Sequence, residues 1–126
     1  MTSPSTAPST TGTAPDPTPS PFDPYQLGPI RLRNRIIKAA TFEGVMPRGA
    51  VTDELIEFHR QVAAGGAAMS TVAYCSVSMG GRVHRNTLVM RPEVTADLER
   101  LTNAVHEKGA AVSAQLGHAG MGANVH

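Results

Sequence analysis

The sequence predicts an α/β fold built on a parallel sheet, either a small open sheet or part of a closed barrel. Three short apolar runs, at residues 36–40, 67–77 and 110–116, have the length and content of buried strands. Two amphipathic stretches, beginning near Thr52 and Thr95, separate them. Strand, helix, strand, helix, strand is the order that pairs strands in parallel through right-handed crossovers.

Residues 1–22 precede this pattern and are read as a disordered tail. They are almost entirely Thr, Ser, Pro and Ala, with Asp16 as the single charge. Repeated prolines deny the segment helix and sheet bonds, and no large side chain from Met1 to Pro21 offers a core contact. Residues 23–126 form the expected domain. Tyr25 to Arg35 alternates around Gly28-Pro29 and reads as a short hairpin. The run Ile36-Ile-Lys-Ala-Ala then suits a strand covered on both faces.

Thr52 can cap the first helix, Asp53 and Glu54 suit the positive end of its dipole, and Gly65-Gly66 stops it. Leu55, Ile56, Val62 and Ala63 fall on or near one face. Residues 67–77 follow as a second buried strand, ended by Gly80-Gly81. The second helix is expected over 95–108, where Leu98, Leu101, Thr102 and Val105 recur at helical spacing before Lys108 and Gly109. Residues 110–116 make a third strand, and Gly117-His-Ala-Gly leads out of it.

Composition narrows the function classes. The 126 residues, with 40% hydrophobic and 17% charged side chains, fit one domain. Aromatics are only 4% and Trp is absent, so Ala, Val, Ile, Leu and Met must build the core. A formal net charge of +1, without a basic stripe, offers no nucleic-acid or anionic-membrane surface. Cys75 stands alone, which excludes an internal disulfide and a cysteine-based zinc site within these residues. No apolar run approaches the roughly 20 residues that cross a bilayer, and the start lacks signal-peptide features. The expected compartment is the cytoplasm. A closed (β/α)8 barrel takes about 250 residues, so a piece of a longer chain is expected if the barrel is correct.

In parallel α/β folds, ligands sit beyond the carboxyl ends of the strands. Those exits hold small residues, a few hydroxyls, one amide and one imidazole. Gln115 offers both a donor and an acceptor, which suits the alternating N–H and C=O edge of a flavin pyrimidine, or equally a bond to a neighbouring loop. His118 reads as a structural hydrogen-bonder ahead of a proton carrier. His59 and His106 read as surface or helix-packing residues. His84, beside Arg82 and Arg85, forms a cationic cluster that a plain solvated loop also explains. Cys75 reads as buried packing, and Glu43 as an acid or base without a visible partner. No dinucleotide GxGxxG, P-loop, HExxH or GxSxG is present.

Six segments together resemble the NADH:flavin oxidoreductase/Old Yellow Enzyme family, including its 2,4-dienoyl-CoA reductase branch. They are Leu27-Gly-Pro-Ile-Arg-Leu-Arg-Asn-Arg-Ile-Ile, Val51-Thr-Asp-Glu-Leu-Ile-Glu-Phe-His-Arg, Ala64-Gly-Gly-Ala, Val77-Ser-Met-Gly-Gly-Arg, Ala104-Val-His-Glu-Lys-Gly and Ala114-Gln-Leu-Gly-His-Ala-Gly. The resemblance implies the N-terminal portion of an FMN-binding (β/α)8 TIM barrel: about three βα units, with the hairpin closing its bottom. It implies NAD(P)H as reductant and a small substrate with an activated C=C bond. It places Ala39, Ala40, Thr41, Phe42, Tyr74 and Gln115 against the flavin and gives His118 a supporting role. Several positions depart from the family pattern. Ala40 stands where Pro is common, Phe42 where Thr or Cys is common, Gly44 where some members carry an aromatic, Tyr74 where the family uses a small residue, and Met121 where Arg is common. The family's substrate-binding, proton-donating and phosphate-binding groups fall beyond position 126, so no catalytic residue is assigned. The competing reading is a non-catalytic truncated remnant or interaction module.

Overall fold

The structure, a computed structural model, describes residues 1–9 and 11–123. Ahead of Tyr25 the described residues form no helix or strand and are almost all exposed. β1 (Tyr25–Leu27) and β2 (Ile30–Leu32) pair antiparallel, with Tyr25 opposite Leu32. Gly28 turns the chain between them at φ +55°.

β3 (Ile37–Lys38) opens the parallel sheet, followed by α1 (Asp53–Ala64). The Thr52 hydroxyl accepts the Leu55 N–H at 3.2 Å, so the expected cap forms. β4 (Met69–Ser76) is the central strand. A 3-10 turn at Met79–Gly81 and the short β5 (Leu88–Val89) lead to α2 (Thr95–Glu107). Gly109, at φ +80°, then releases the chain into β6 (Ala111–Gly117).

β4 carries β6 in parallel along one edge from Met69 to Ser76. Along its other edge it carries β3 at Met69 and Ser70, then β5 at Cys75 and Ser76. α1 and α2 cover one face of this sheet. Leu55, Ala63, Val72, Cys75, Leu88, Leu101 and Val105 form its core, and Leu55, Leu101 and Val105 are fully buried. Burying each such Leu contributes about 1.5–3 kcal/mol. On the opposite face Leu32 of the hairpin packs with Ala68, Met69 and Ala111 at the strands' entry end.

Arg33 fastens the hairpin to that end. Its guanidinium donates to the carbonyls of Ala63 at 2.5 Å, Ala67 at 2.8 Å and Lys108 at 2.6 Å. It therefore serves the C-terminal ends of both helices, where carbonyls lack helical partners and the dipole is negative.

The structure corrects two sequence expectations. The first strand is two residues long and not covered on both faces: Ile37 is 44% exposed, because helices cover only one side of the sheet. β5 was not anticipated; its two residues extend the β3 edge of β4 beyond the chain's exit from β3.

Candidate active site

The carboxyl ends of β3, β4 and β6 gather the loops at residues 39–46, 77–87 and 117–122. Main-chain bonds join the last two: Val77 N–H donates to Gly117 C=O at 3.1 Å, and Ala119 N–H to Gly81 C=O at 2.9 Å. The Asn86 amide donates to Gly44 C=O at 3.0 Å and ties in the first. His84 meets the Phe42 ring edge-on, with centroids 5.5 Å apart.

Of the anticipated residues, Ala39 and Thr41 are exposed, Ala40 is half-buried, and Phe42 is 47% exposed. They leave the sheet on the β3 edge of β4. Tyr74 and Gln115 meet on the other. The β4–β6 register slips between Val72, which faces Ala114, and Cys75, which faces Leu116, so Ala73 and Tyr74 together oppose Gln115. A Cβ on Gly117 would lie 2.5 Å from the Tyr74 ring, so only glycine lets that ring settle there. Gln115 is exposed, and among the described residues its carboxamide makes no hydrogen bond.

His118 turns inward to its own loop: Nδ1 accepts the Gly120 N–H at 3.0 Å, and the ring lies against Gly81. His106 is exposed on α2. Cys75 is fully buried, and burial, with the nearby Glu43 charge, pushes its thiol up to about 11. Such a thiol is almost wholly protonated near neutrality and is a packing group.

Sequence reasoning missed the partners of Glu43. Its carboxylate takes the Lys38 ammonium at 2.5 Å and the Ala73 N–H at 3.2 Å, and lies 3.6 Å from His59 Nε2. Lys38 also donates to Thr71 C=O at 3.1 Å. The ion pair thus pins the chain leaving β3 to the middle of β4. A lysine inside the apolar run Ile36-Ile-Lys-Ala-Ala was the available signal, since a buried ammonium demands a carboxylate nearby.

The donor set suits a flavin. Small side chains at Ala39 and Ala40 admit a flat ring, the Thr41 hydroxyl is exposed, and the unengaged Gln115 carboxamide matches a pyrimidine edge in donors and acceptors.

The family model described as the NADH:flavin oxidoreductase / NADH oxidase family matches residues 20–126. The chain belongs to that family. Its members are oxidoreductases that bind FMN and draw on NAD(P)H. The chain is 68% identical over 108 residues to the 4,4'-dithiodibutanoate disulfide reductase of Rhodococcus erythropolis, covering 86% of this chain and 27% of that protein. Among solved structures, morphinone reductase in complex with tetrahydroNAD superposes with a TM-score of 0.74 at 26% identity, covering 80% of this chain and 28% of that one. Old Yellow Enzyme from Pichia sp. AKU4542 gives a TM-score of 0.72 at 20% identity, covering 78% and 26%. The fold is accordingly the N-terminal portion of a (β/α)8 barrel, with β3, β4 and β6 as its first strands.

Proposed function

We propose that the protein carrying this chain is an FMN-dependent oxidoreductase that uses NAD(P)H to reduce a small electrophilic acceptor in the cytoplasm. The observation that carries this reading is the pairing of Gln115 with Tyr74 across the register slip, beside Gly117, in a chain of this family. Bound flavin supplies two-electron transfer between the nicotinamide and the acceptor. Gln115 hydrogen-bonds the pyrimidine portion of the ring. Ala39, Ala40 and Thr41 leave room for its face, and Phe42 contributes backbone groups. The Tyr74 ring borders the cofactor from β4.

Two acceptors follow. With an activated C=C bond, as proposed from the sequence, NAD(P)H and one proton give the saturated product and NAD(P)+. With a disulfide, NAD(P)H and one proton give two thiols and NAD(P)+. The relative at 68% identity favours the disulfide.

The full-length gene product should be yellow, absorbing near about 450 nm as flavins do. Gln115→Leu should weaken FMN retention about tenfold, the scale of a lost hydrogen bond to the ring. Anaerobic NAD(P)H oxidation with 4,4'-dithiodibutanoate or a simple enone identifies the acceptor. A colourless preparation that does not take up added FMN sinks the proposal.

A further inference from the structure

We infer that an arginine-walled cavity beside the β4 exit binds the carboxylate of a small anionic acceptor. The cavity measures about 400 Å³ and is lined by Pro47, Arg48, Arg82, Arg85 and Asn86. It lies between the turn before α1 and the loop joining β4 to β5, at the end of the sheet where the strands' carboxyl termini open. Its volume suits a small molecule.

Charge is the reason for assigning it an anion. Arg48, Arg82, Arg85 and the adjoining Arg91 supply four of the chain's 11 Lys and Arg residues. Ion pairs among the described residues engage Lys38, His59, Arg60 and Arg100, and none of these four. Three of these arginines, Arg48, Arg82 and Arg85, line one cavity, and no carboxylate lines it with them. Such a cluster repels itself and concentrates anions from solution.

Part of the cluster is also held in place. Arg82 Nε donates to Met79 C=O at 2.8 Å and Arg82 Nη1 to Arg85 C=O at 3.5 Å. Arg91 Nη2 donates to Arg48 C=O at 2.9 Å, while its Nε is buried without a partner. Arg48 itself stands at φ +58°, a left-handed conformation that costs a non-glycine residue about 1 kcal/mol. Its neighbour Gly49, at φ +70°, packs so closely on Val89 that a Cβ would come within 2.7 Å of that side chain. The turn carrying Arg48 is therefore fixed against β5. The Arg48 and Arg85 guanidinium groups make no hydrogen bond among the described residues, which leaves their planar forks for a carboxylate. Arginine stems and the Pro47 ring offer walls for a short methylene chain.

This assignment deepens the functional reading above by giving its acceptor an anionic end. The full-length protein is compared with an Arg82→Gln/Arg85→Gln variant and separately with Arg48→Gly, which removes the side chain while relieving the left-handed backbone. Two readouts apply. The first is the ratio of kcat/KM for 4,4'-dithiodibutanoate to that for its uncharged diamide. The second is calorimetric binding of decanedioate, a redox-inert dicarboxylate of matched length. Both variants should lower the ratio about tenfold and weaken decanedioate binding by a similar factor, as expected for a lost charge-assisted contact. If neither disulfide is reduced but decanedioate binding still depends on the arginines, the acceptor reading fails and the anion site stands. Reduction with an unchanged ratio, unchanged decanedioate affinity, or a rise confined to the KM for NAD(P)H each overturns the anion site.

Discussion

His59 lies wholly buried between α1 and β4, its Nδ1 2.7 Å from the Ser70 hydroxyl. Burial foremost, then the Lys38 charge, lowers its pKa from 6.5 to about 4. Glu43 at 3.6 Å acts in the opposite sense, but that separation exceeds a hydrogen bond and Lys38 already occupies the same carboxylate oxygen. The imidazole is therefore neutral in the folded protein. The sign follows directly. Below pH 6.5 the unfolded chain takes up a proton that the folded one refuses, so stability present above 6.5 drains away as pH falls toward 4. The loss approaches about 3 kcal/mol. Denaturant midpoints measured across that window should fall for the wild type and flatten in His59→Gln; equal slopes in the two proteins would refute the assignment. Little of this was legible beforehand. Thr52 and Gly109 announce themselves because capping is local chemistry, whereas Lys38, Glu43 and His59 meet only once α1 has folded back over β4.

At the scale of elements, a single side chain clamps the hairpin to two helices. Arg33 reaches the last carbonyls of α1 and the carbonyl following α2, and Asn34 adds a 2.7 Å bond to Gly66 C=O. Arg33→Ala should cost about 2 kcal/mol, since water can replace part of three charge-assisted bonds at an exposed site. Arg31→Ala, on the same hairpin but without a side-chain hydrogen bond among the described residues, should shift stability by under about 0.5 kcal/mol. Equal denaturation midpoints for the two variants would show that the clamp contributes nothing. The helices and the second and third strands were readable from sequence because each carries its own periodicity and terminator. β5 was not, since two residues have no period and gain their strand character only by lying beside Cys75 and Ser76. The meeting of Tyr74 with Gln115 was hidden for a related reason: it depends on a slip in register between strands, which neither segment encodes alone.

For the whole molecule, β4 is the one strand of the parallel sheet with neighbours on both edges among the described residues. Among the described residues the outer edge of β6 is open, and Leu116 on that strand is 59% exposed. Ile37 is 44% exposed on the face the helices leave bare. The chain spans only 27% of the length of its 68%-identical relative, and in a closed barrel further strands would cover both edge and face. Produced as residues 1–126 alone, the chain should therefore self-associate through β6, because an unpaired strand edge is a template for another. Gel filtration between about 1 and 100 µM should show a concentration-dependent shift to larger species, together with binding of an apolar dye. Leu116→Lys places a charge on the open strand and should move the distribution back toward monomer. A monodisperse monomer that binds no dye across that range would mean the sheet satisfies its own edge, and the barrel's remaining strands would not be what the exposed face is shaped to receive.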